Sequence, residues 1–189
     1  EIEIERLRPF KEHLFQVKDD KEMFLLQESI EKYSILNPLI VRPVPDGYYE
    51  IISGHRRKHA AEKLGYRKVP VIIRVLSEDD SILSMVDSNL HRERISYSEK
   101  AFAYKLKNDV LERKSGRKKS QVDYKKPRKR SIDIISENCG DSPKQVQRYI
   151  SLTKLIPEML QKLDDEIISF CPAVEIAALK ENEQRELLK

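Results

Sequence analysis

The sequence predicts an α+β protein, with a small α/β domain over residues 1–95 followed by an all-helical domain over residues 96–189. Three observations carry that expectation. Short apolar runs alternate with segments of helical period in the first half, the pattern becomes helical throughout from about Ser96, and a block of basic residues interrupts the helical half.

Ile2 and Ile4 alternate with acids, as in an edge strand. Asp19 and Asp20 can cap a helix carrying Met23, Phe24, Leu26, Gln27 and Ile30. Asn37 to Arg42 reads as a short apolar strand, Pro45-Asp46-Gly47 as a hairpin turn, and Tyr48 to Ile52 as the returning strand. After Gly54 a helix carries Ala60, Ala61 and Leu64 on one stripe and stops at Gly65. Val69 to Val75 is the most buried-looking strand, and a helix follows from about Glu78 to His91. Ser98-Glu99 opens a longer helix with Ala101, Phe102, Tyr104, Leu106, Val110 and Leu111. Ile132 to about Asn138, then Cys139-Gly140-Asp141, then Ser142 as cap and Pro143 at the first helical position of a helix reaching Leu155, make a helix-turn-helix at about 131–155. Val146, Ile150 and Leu155 face inward on its second helix, and a last amphipathic helix runs from about Glu181 to Leu188.

Charge sharpens the division. The chain has a formal net charge of +4, yet residues 113–130 hold ten Lys/Arg against one acid, so this segment carries +9 and the remainder −5. A basic stretch on an otherwise acidic protein is an electrostatic footprint for a polyanion, and Ser115-Gly116 and Lys126-Pro127 give it the look of a flexible linker. Beside it, Arg130, Ser142, Lys144, Gln145, Gln147 and Arg148 are the side chains placed to hold phosphates or read base edges of double-stranded DNA. The same helices would also suit an ordinary hairpin in a bundle, and the adjoining charge favours DNA. No apolar run approaches the ~18 residues of a membrane span, so a cytoplasmic, DNA-associated protein without membrane contact is expected. Cys139 and Cys171 sit in unrelated contexts, as reduced thiols do.

The strand-glycine-helix junction at Ile51 to Gly65 is the other candidate site. A helix that starts just after a strand aims its first free N–H groups, and the positive end of its dipole, above the strand. Arg56 and Arg57 add two guanidinium groups to that first turn, which suits a phosphate chain; a solvated start of a surface helix is the bland alternative.

In order along the chain, Leu36-Asn37-Pro38-Leu39-Ile40-Val41-Arg42-Pro43, Gly54-His55-Arg56-Arg57-Lys58-His59-Ala60, Val69-Pro70-Val71, Ser88-Asn89-Leu90-His91-Arg92 and Ser98-Glu99-Lys100-Ala101 precede the helix-turn-helix and Leu155-Ile156-Pro157-Glu158. That order resembles the ParB family of chromosome and plasmid partition proteins and its relatives on mobile elements, over nearly the whole chain. The resemblance implies a ParB/sulfiredoxin-like first domain that binds CTP with Mg2+, coupled to DNA binding in a homodimer, and a ParA-type ATPase as a partner. It places Gly54, His55, Arg56, Arg57, Asn89 and Arg92 on the nucleotide, with Asn89 also toward magnesium. The sequence departs from the family at His55 and Ser88, where the family has glutamates, and at His59 and His91. No catalytic residue is assigned, and CTPase activity is expected to be weak at most. His55 and His59, four apart, have a spacing that holds a transition metal, but without a nearby Cys or carboxylate pattern they read as surface or phosphate-facing.

The alternatives are a DNA-binding transcriptional regulator that binds no nucleotide and a phosphoryl-transfer enzyme on the same fold, for which Glu50, His55 or His91 would have to serve as base. Sulfiredoxin, similar to the first domain, uses a cysteine in its glycine-histidine-arginine turn, and none stands there in this chain. The sequence opens on Glu1 rather than Met and shows no evident dimerisation segment after the last helix, which leaves the full-length architecture open.

Overall fold

A computed structural model describes residues 1–11, 15, 17, 19–90, 95–117 and 129–188. They form an α+β protein that separates into two compact units, Glu1–Ser88 and Asn89–Lys189.

In the first unit the strands are β1 (Ile2–Glu3), β2 (Leu7–Pro9), β3 (Leu39–Pro43), β4 (Tyr49–Ser53), β5 (Lys68–Val69) and β6 (Val71–Ile73). A mixed sheet has the order β2-β4-β3-β6, with β2 parallel to β4, β4 antiparallel to β3 and β3 parallel to β6, while β1 pairs antiparallel with β5. The turn between β3 and β4 is at Pro45–Gly47, where Asp46 and Gly47 both take positive φ. Helices α1 (Lys21–Tyr33) and α2 (His55–Lys63) pack with Leu7, Leu39, Val41 and Ile51, burying Met23, Ile30, Ala60 and Ala61. Residues alternate across a strand, so Arg42 and Glu50 fall on the other face. There Arg42 pairs with Glu50 at 2.6 Å, lies 4.8 Å over the Phe10 ring and donates to Ser81 Oγ of α3 (Glu78–Leu90) at 3.3 Å.

Two expectations for this unit need correction. The edge strand at the start is only Ile2–Glu3; Ile4–Arg6 is a 3-10 turn, after which β2 resumes. Val69 to Val75 is not a buried strand. Pro70 has no N–H to donate and breaks it in two, with the Pro70 carbonyl accepting from Leu39 N at 3.0 Å. β6 then lies at the sheet edge, leaving Ile72 44%, Ile73 50% and Val75 87% exposed.

The second unit is helical: α4 (Tyr97–Arg117), α5 (Ser131–Cys139), α6 (Pro143–Leu152), α7 (Pro157–Asp164), α8 (Phe170–Ile176) and α9 (Glu181–Glu186). Its core gathers Ala101, Tyr104, Ile135, Val146, Leu152, Met159, Leu163 and Ala173. Helix α4 extends through Ser115 and Gly116, which the sequence suggested were flexible, and residues 118–128 of the basic segment lie outside the described residues. Helix α6 ends at Leu152 rather than Leu155; Leu155 is buried just beyond it, in a tight turn whose N–H donates to Leu152 O at 3.0 Å. The stripe of α6 that enters the core is Val146, Tyr149 and Leu152, with Ile150 half-buried. Tyr149 takes the inward place because its ring packs with Tyr104 at 5.7 Å and Phe170 at 4.8 Å. Among the described residues no helix is long and apolar enough to cross a membrane.

Candidate phosphate and nucleic-acid sites

The glycine-arginine turn is built by a direct passage from β4 into α2. Gly54 makes the corner at φ 109° and ψ 20°, a region that side chains other than glycine avoid. A Cβ there would lie 2.8 Å from Leu39 Cγ and 3.2 Å from Arg57 Nη2, so the backbone runs close over the core strand and the guanidinium beneath it. The first intrahelical bond is from Lys58 N to Gly54 O at 2.9 Å, so the His55, Arg56 and Arg57 amides precede the helical ladder. These three donors and the helix dipole point to an anion.

The two arginines differ in what they touch. Arg57 turns inward and donates from Nη1 to the carbonyls of Asn37 and, at 2.9 Å, Pro38. Burial pulls its guanidinium below the ordinary arginine value. Arg56 turns toward α1 and grips Asp20 with both ends of its fork, Nη2 to Oδ1 at 2.8 Å and Nη1 to Oδ2 at 3.3 Å, with Glu22 Oε2 at 3.6 Å. Asp20 also caps α1, accepting from Met23 N at 2.8 Å, and the Arg56 and Met23 bonds hold its carboxyl below the usual range. His55 is buried, and His59 Nε2 meets Asp19 at 3.0 Å beside Lys63 at 2.6 Å.

The structure thus brings Gly54, His55, Arg56 and Arg57 together in one turn. Asn89 is buried in the last turn of α3 and belongs to the second unit, while Arg92 lies outside the described residues. Ser88 Oγ donates to Met85 O of its own helix at 2.9 Å. Glu50 is committed to Arg42. No group of three or more His, Cys, Asp or Glu suited to a metal occurs among the described residues.

In the second unit, α5 ends at Gly140, which takes φ 76° and donates to Ser136 O at 3.0 Å. Ser142 caps α6, its Oγ accepting from Gln145 N at 3.2 Å. Between these two residues Asp141 binds Lys100 Nζ at 2.7 Å and accepts from Tyr104 OH at 2.6 Å, which anchors the turn to α4. Lys144 and Gln147 are exposed, while Gln145 and Arg148 are half-buried. Arg148 lies 4.9 Å over the Phe170 ring, donates from Nη2 to Cys171 Sγ at 3.0 Å and reaches Gln145 Oε1 at 3.5 Å. Arg130, just before α5, holds Asp133 through Nε at 3.0 Å and Nη2 at 3.1 Å.

Sequence reasoning missed the partners that orient these cations. Asp20 was visible only as a cap, and Phe170 and Cys171 carried no local signal linking them to Arg148, 22 and 23 residues earlier.

Residues 1–90 match the family model of the ParB N-terminal domain. The nucleoid occlusion protein of Bacillus mycoides (strain KBAB4) is 34% identical over 129 residues, which cover 65% of this chain and 44% of that protein. The chain therefore spans less than half the length of that relative. Among solved structures, the C-terminally truncated chromosome-partitioning protein ParB from Caulobacter crescentus, there complexed to the centromeric parS site, is similar over 94% of this chain and 84% of that one, with a TM-score of 0.61 and 24% identity. A Pnob8-like ParB-N domain is similar over 93% and 77%, with a TM-score of 0.63 and 18% identity. Both likenesses concern the fold.

Proposed function

We propose that this chain, whose residues 1–90 match the ParB N-terminal domain, is a DNA-binding partition or nucleoid-occlusion protein of the ParB family whose first domain binds a nucleoside triphosphate. The observation that carries the reading is the α5-Gly140-α6 unit. Its second helix is capped, is anchored by Asp141 and presents Lys144, Gln145, Gln147 and Arg148 beside a strongly basic segment. In this reading Arg130 and Lys144 hold phosphates, while Gln145, Gln147 and Arg148 face base edges. The related Bacillus protein and the parS-bound ParB motivate the biological assignment to partition or nucleoid occlusion.

The nucleotide half rests on the start of α2. The amides of 55–57 and the guanidinium of Arg56 are donors of the right type for a phosphate chain, and Gly54 lets the backbone turn close above the sheet. The motif order names CTP, with Mg2+, as the first nucleotide to test. The residues of the turn fit a phosphate chain. A bound metal would neutralise phosphate charge. His55 and Ser88, standing where the family has glutamates, leave no carboxylate at those positions to orient water, so hydrolysis is slow. Homodimerisation and a ParA-type ATPase partner belong to the same reading.

Calorimetry of the full chain with CTP, ATP and GTP plus magnesium, with and without DNA, tests it. CTP should bind, phosphate release should be slow, and Arg57→Ala should abolish nucleotide binding while the helix-turn-helix stays folded and able to bind DNA. A second reading, a DNA-binding regulator without nucleotide, is favoured by one observation: Arg56 and Arg57 each have protein partners. Failure of all three nucleotides to bind would select it. A phosphoryl-transfer enzyme is disfavoured by the commitment of Glu50 to Arg42, and fast turnover would revive it.

A further inference from the structure

The pairing of Arg56 bears directly on how a phosphate chain could enter this turn. A guanidinium that holds a carboxylate through both ends of its fork offers the arrangement with which it would hold two phosphate oxygens. Asp20 occupies that fork, and Glu22 lies behind it at 3.6 Å from the same Nη2. Both acids are delivered by the first turn of α1, where Asp20 also accepts the Met23 amide. The pair is near solvent, with 21% of the Arg56 side chain and 41% of that of Asp20 exposed, so it can exchange partners without opening the core.

We propose that Asp20, assisted by Glu22, is an internal competitor for the phosphate-binding turn, so that a triphosphate binds by taking Arg56 away from Asp20. This rests on the nucleotide reading above. Arg57 does not take part in the exchange, because its contacts are neutral carbonyls under the turn. Nor does the start of α1 have to leave. Asp19, next along, holds His59 at 3.0 Å and Lys63 at 2.6 Å, and these share a stripe of α2 with Arg56. The exchange is therefore a rotation of one side chain, after which Asp20 still caps α1 through the Met23 amide. The acids set affinity twice: they must be displaced from Arg56, and they then repel the bound phosphates.

The test uses the full chain and two probes, CTP and inorganic tripolyphosphate, each with magnesium, in calorimetry at fixed salt. Asp20→Asn keeps an N-cap acceptor of equal quality and removes the charge. It should tighten both probes about fivefold, the equivalent of the ~1 kcal/mol at the upper end for a surface ion pair. Glu22→Gln, at a more exposed position, should act in the same direction with a smaller gain. In an Arg56→Ala background only the repulsion remains, so Asp20→Asn should gain no more than Asp19→Asn does. Asp19→Asn removes the same charge one residue away without touching Arg56 and should give less than half the gain.

Equal affinity in wild type and Asp20→Asn, or an equal gain from Asp19→Asn, overturns the proposal while leaving nucleotide binding intact. If neither CTP nor tripolyphosphate binds wild type or Asp20→Asn, the nucleotide reading fails and the competitor with it. Binding seen only in Asp20→Asn supports a competitor strong enough to close the site.

Discussion

Replacing Gly54 with alanine is the sharpest structural test of the turn at the start of α2. At φ 109° a side chain is strained wherever it points, and the left-handed region costs a non-glycine residue roughly 1–2 kcal/mol. The new methyl would also come within 2.8 Å of Leu39 Cγ and 3.2 Å of Arg57 Nη2. Leu39 is fully buried in the central strand β3 and cannot move aside cheaply, so overpacking adds about 1–3 kcal/mol. The sum, about 2–5 kcal/mol, is a large part of the ~5–15 kcal/mol that holds a typical domain together. Gly65→Ala is the matched control. Its φ is 75° and nothing lies within 4 Å of the position a Cβ would take, so it carries only the backbone strain. Both glycines belong to the first unit, so urea unfolding of the full chain followed by circular dichroism reads them in the same transition. Gly54→Ala should lower stability by about 1–3 kcal/mol more than Gly65→Ala. Equal losses in the two variants would refute the close approach of this backbone to Leu39 and Arg57.

Three further outcomes follow from the second unit. Arg148→Ala should weaken binding to the preferred DNA site by about 1–3 kcal/mol if the guanidinium grips a base with both ends of its fork; equal affinity in a binding titration would remove Arg148 from the readers. Replacing Lys and Arg within 113–130 by Gln should weaken all DNA sequences alike and reduce the slope of log affinity against log salt by roughly 0.9 per lost phosphate contact. A loss confined to one sequence would make the segment a base reader. Burial pulls the Asp141 carboxyl up, but hydrogen bonds from Lys100 and Tyr104 prevail and leave it below the usual carboxylate range. Its contribution to stability is thus present above the unfolded value and disappears as pH falls through the lower folded one. Asp141→Asn should flatten the acid limb of the unfolding curve of the helical unit, and an unchanged limb would show that the pair with Lys100 contributes nothing.

What the sequence made legible was local chemistry. The β4-Gly54-α2 junction could be read because an apolar run, a glycine and a helical stripe follow one another without a gap, and the helix-turn-helix because Gly140, Ser142 and Pro143 each have one strongly preferred place at a helix end. The strand at 69–75 misled for a physical reason: a continuous apolar run normally marks burial on both faces, but here Pro70 divides it and the remainder is a sheet edge. Helix α8 has no helical signature in the sequence because Pro172 stands in its first turn, where a proline reads equally as a loop residue. Tyr149 was passed over in favour of Ile150 and Leu155 because a ring gains its inward place from partners such as Tyr104 and Phe170, which are distant in sequence.

The same limit governs the two arginines at the heart of the candidate site. Consecutive residues on a helix point about 100° apart, so Arg56 and Arg57 take different partners here even though they are neighbours in the motif. One reaches sideways to acids 36 and 34 residues earlier, and the other reaches down to carbonyls 20 and 19 residues earlier. A charged partner can be exchanged for a phosphate, because charge is replaced by charge. The part-buried Pro38 carbonyl is not released without leaving an acceptor poorly matched, at about 1–3 kcal/mol, whereas the Asn37 carbonyl is exposed and water can replace the guanidinium there. Arg57 therefore shapes the loop that carries Asn37 and Pro38, and loss of nucleotide affinity in an Arg57 variant reports on that loop as well as on phosphate contact. Arg56 is the guanidinium whose replacement reads the anion site itself, because its present partners are anions.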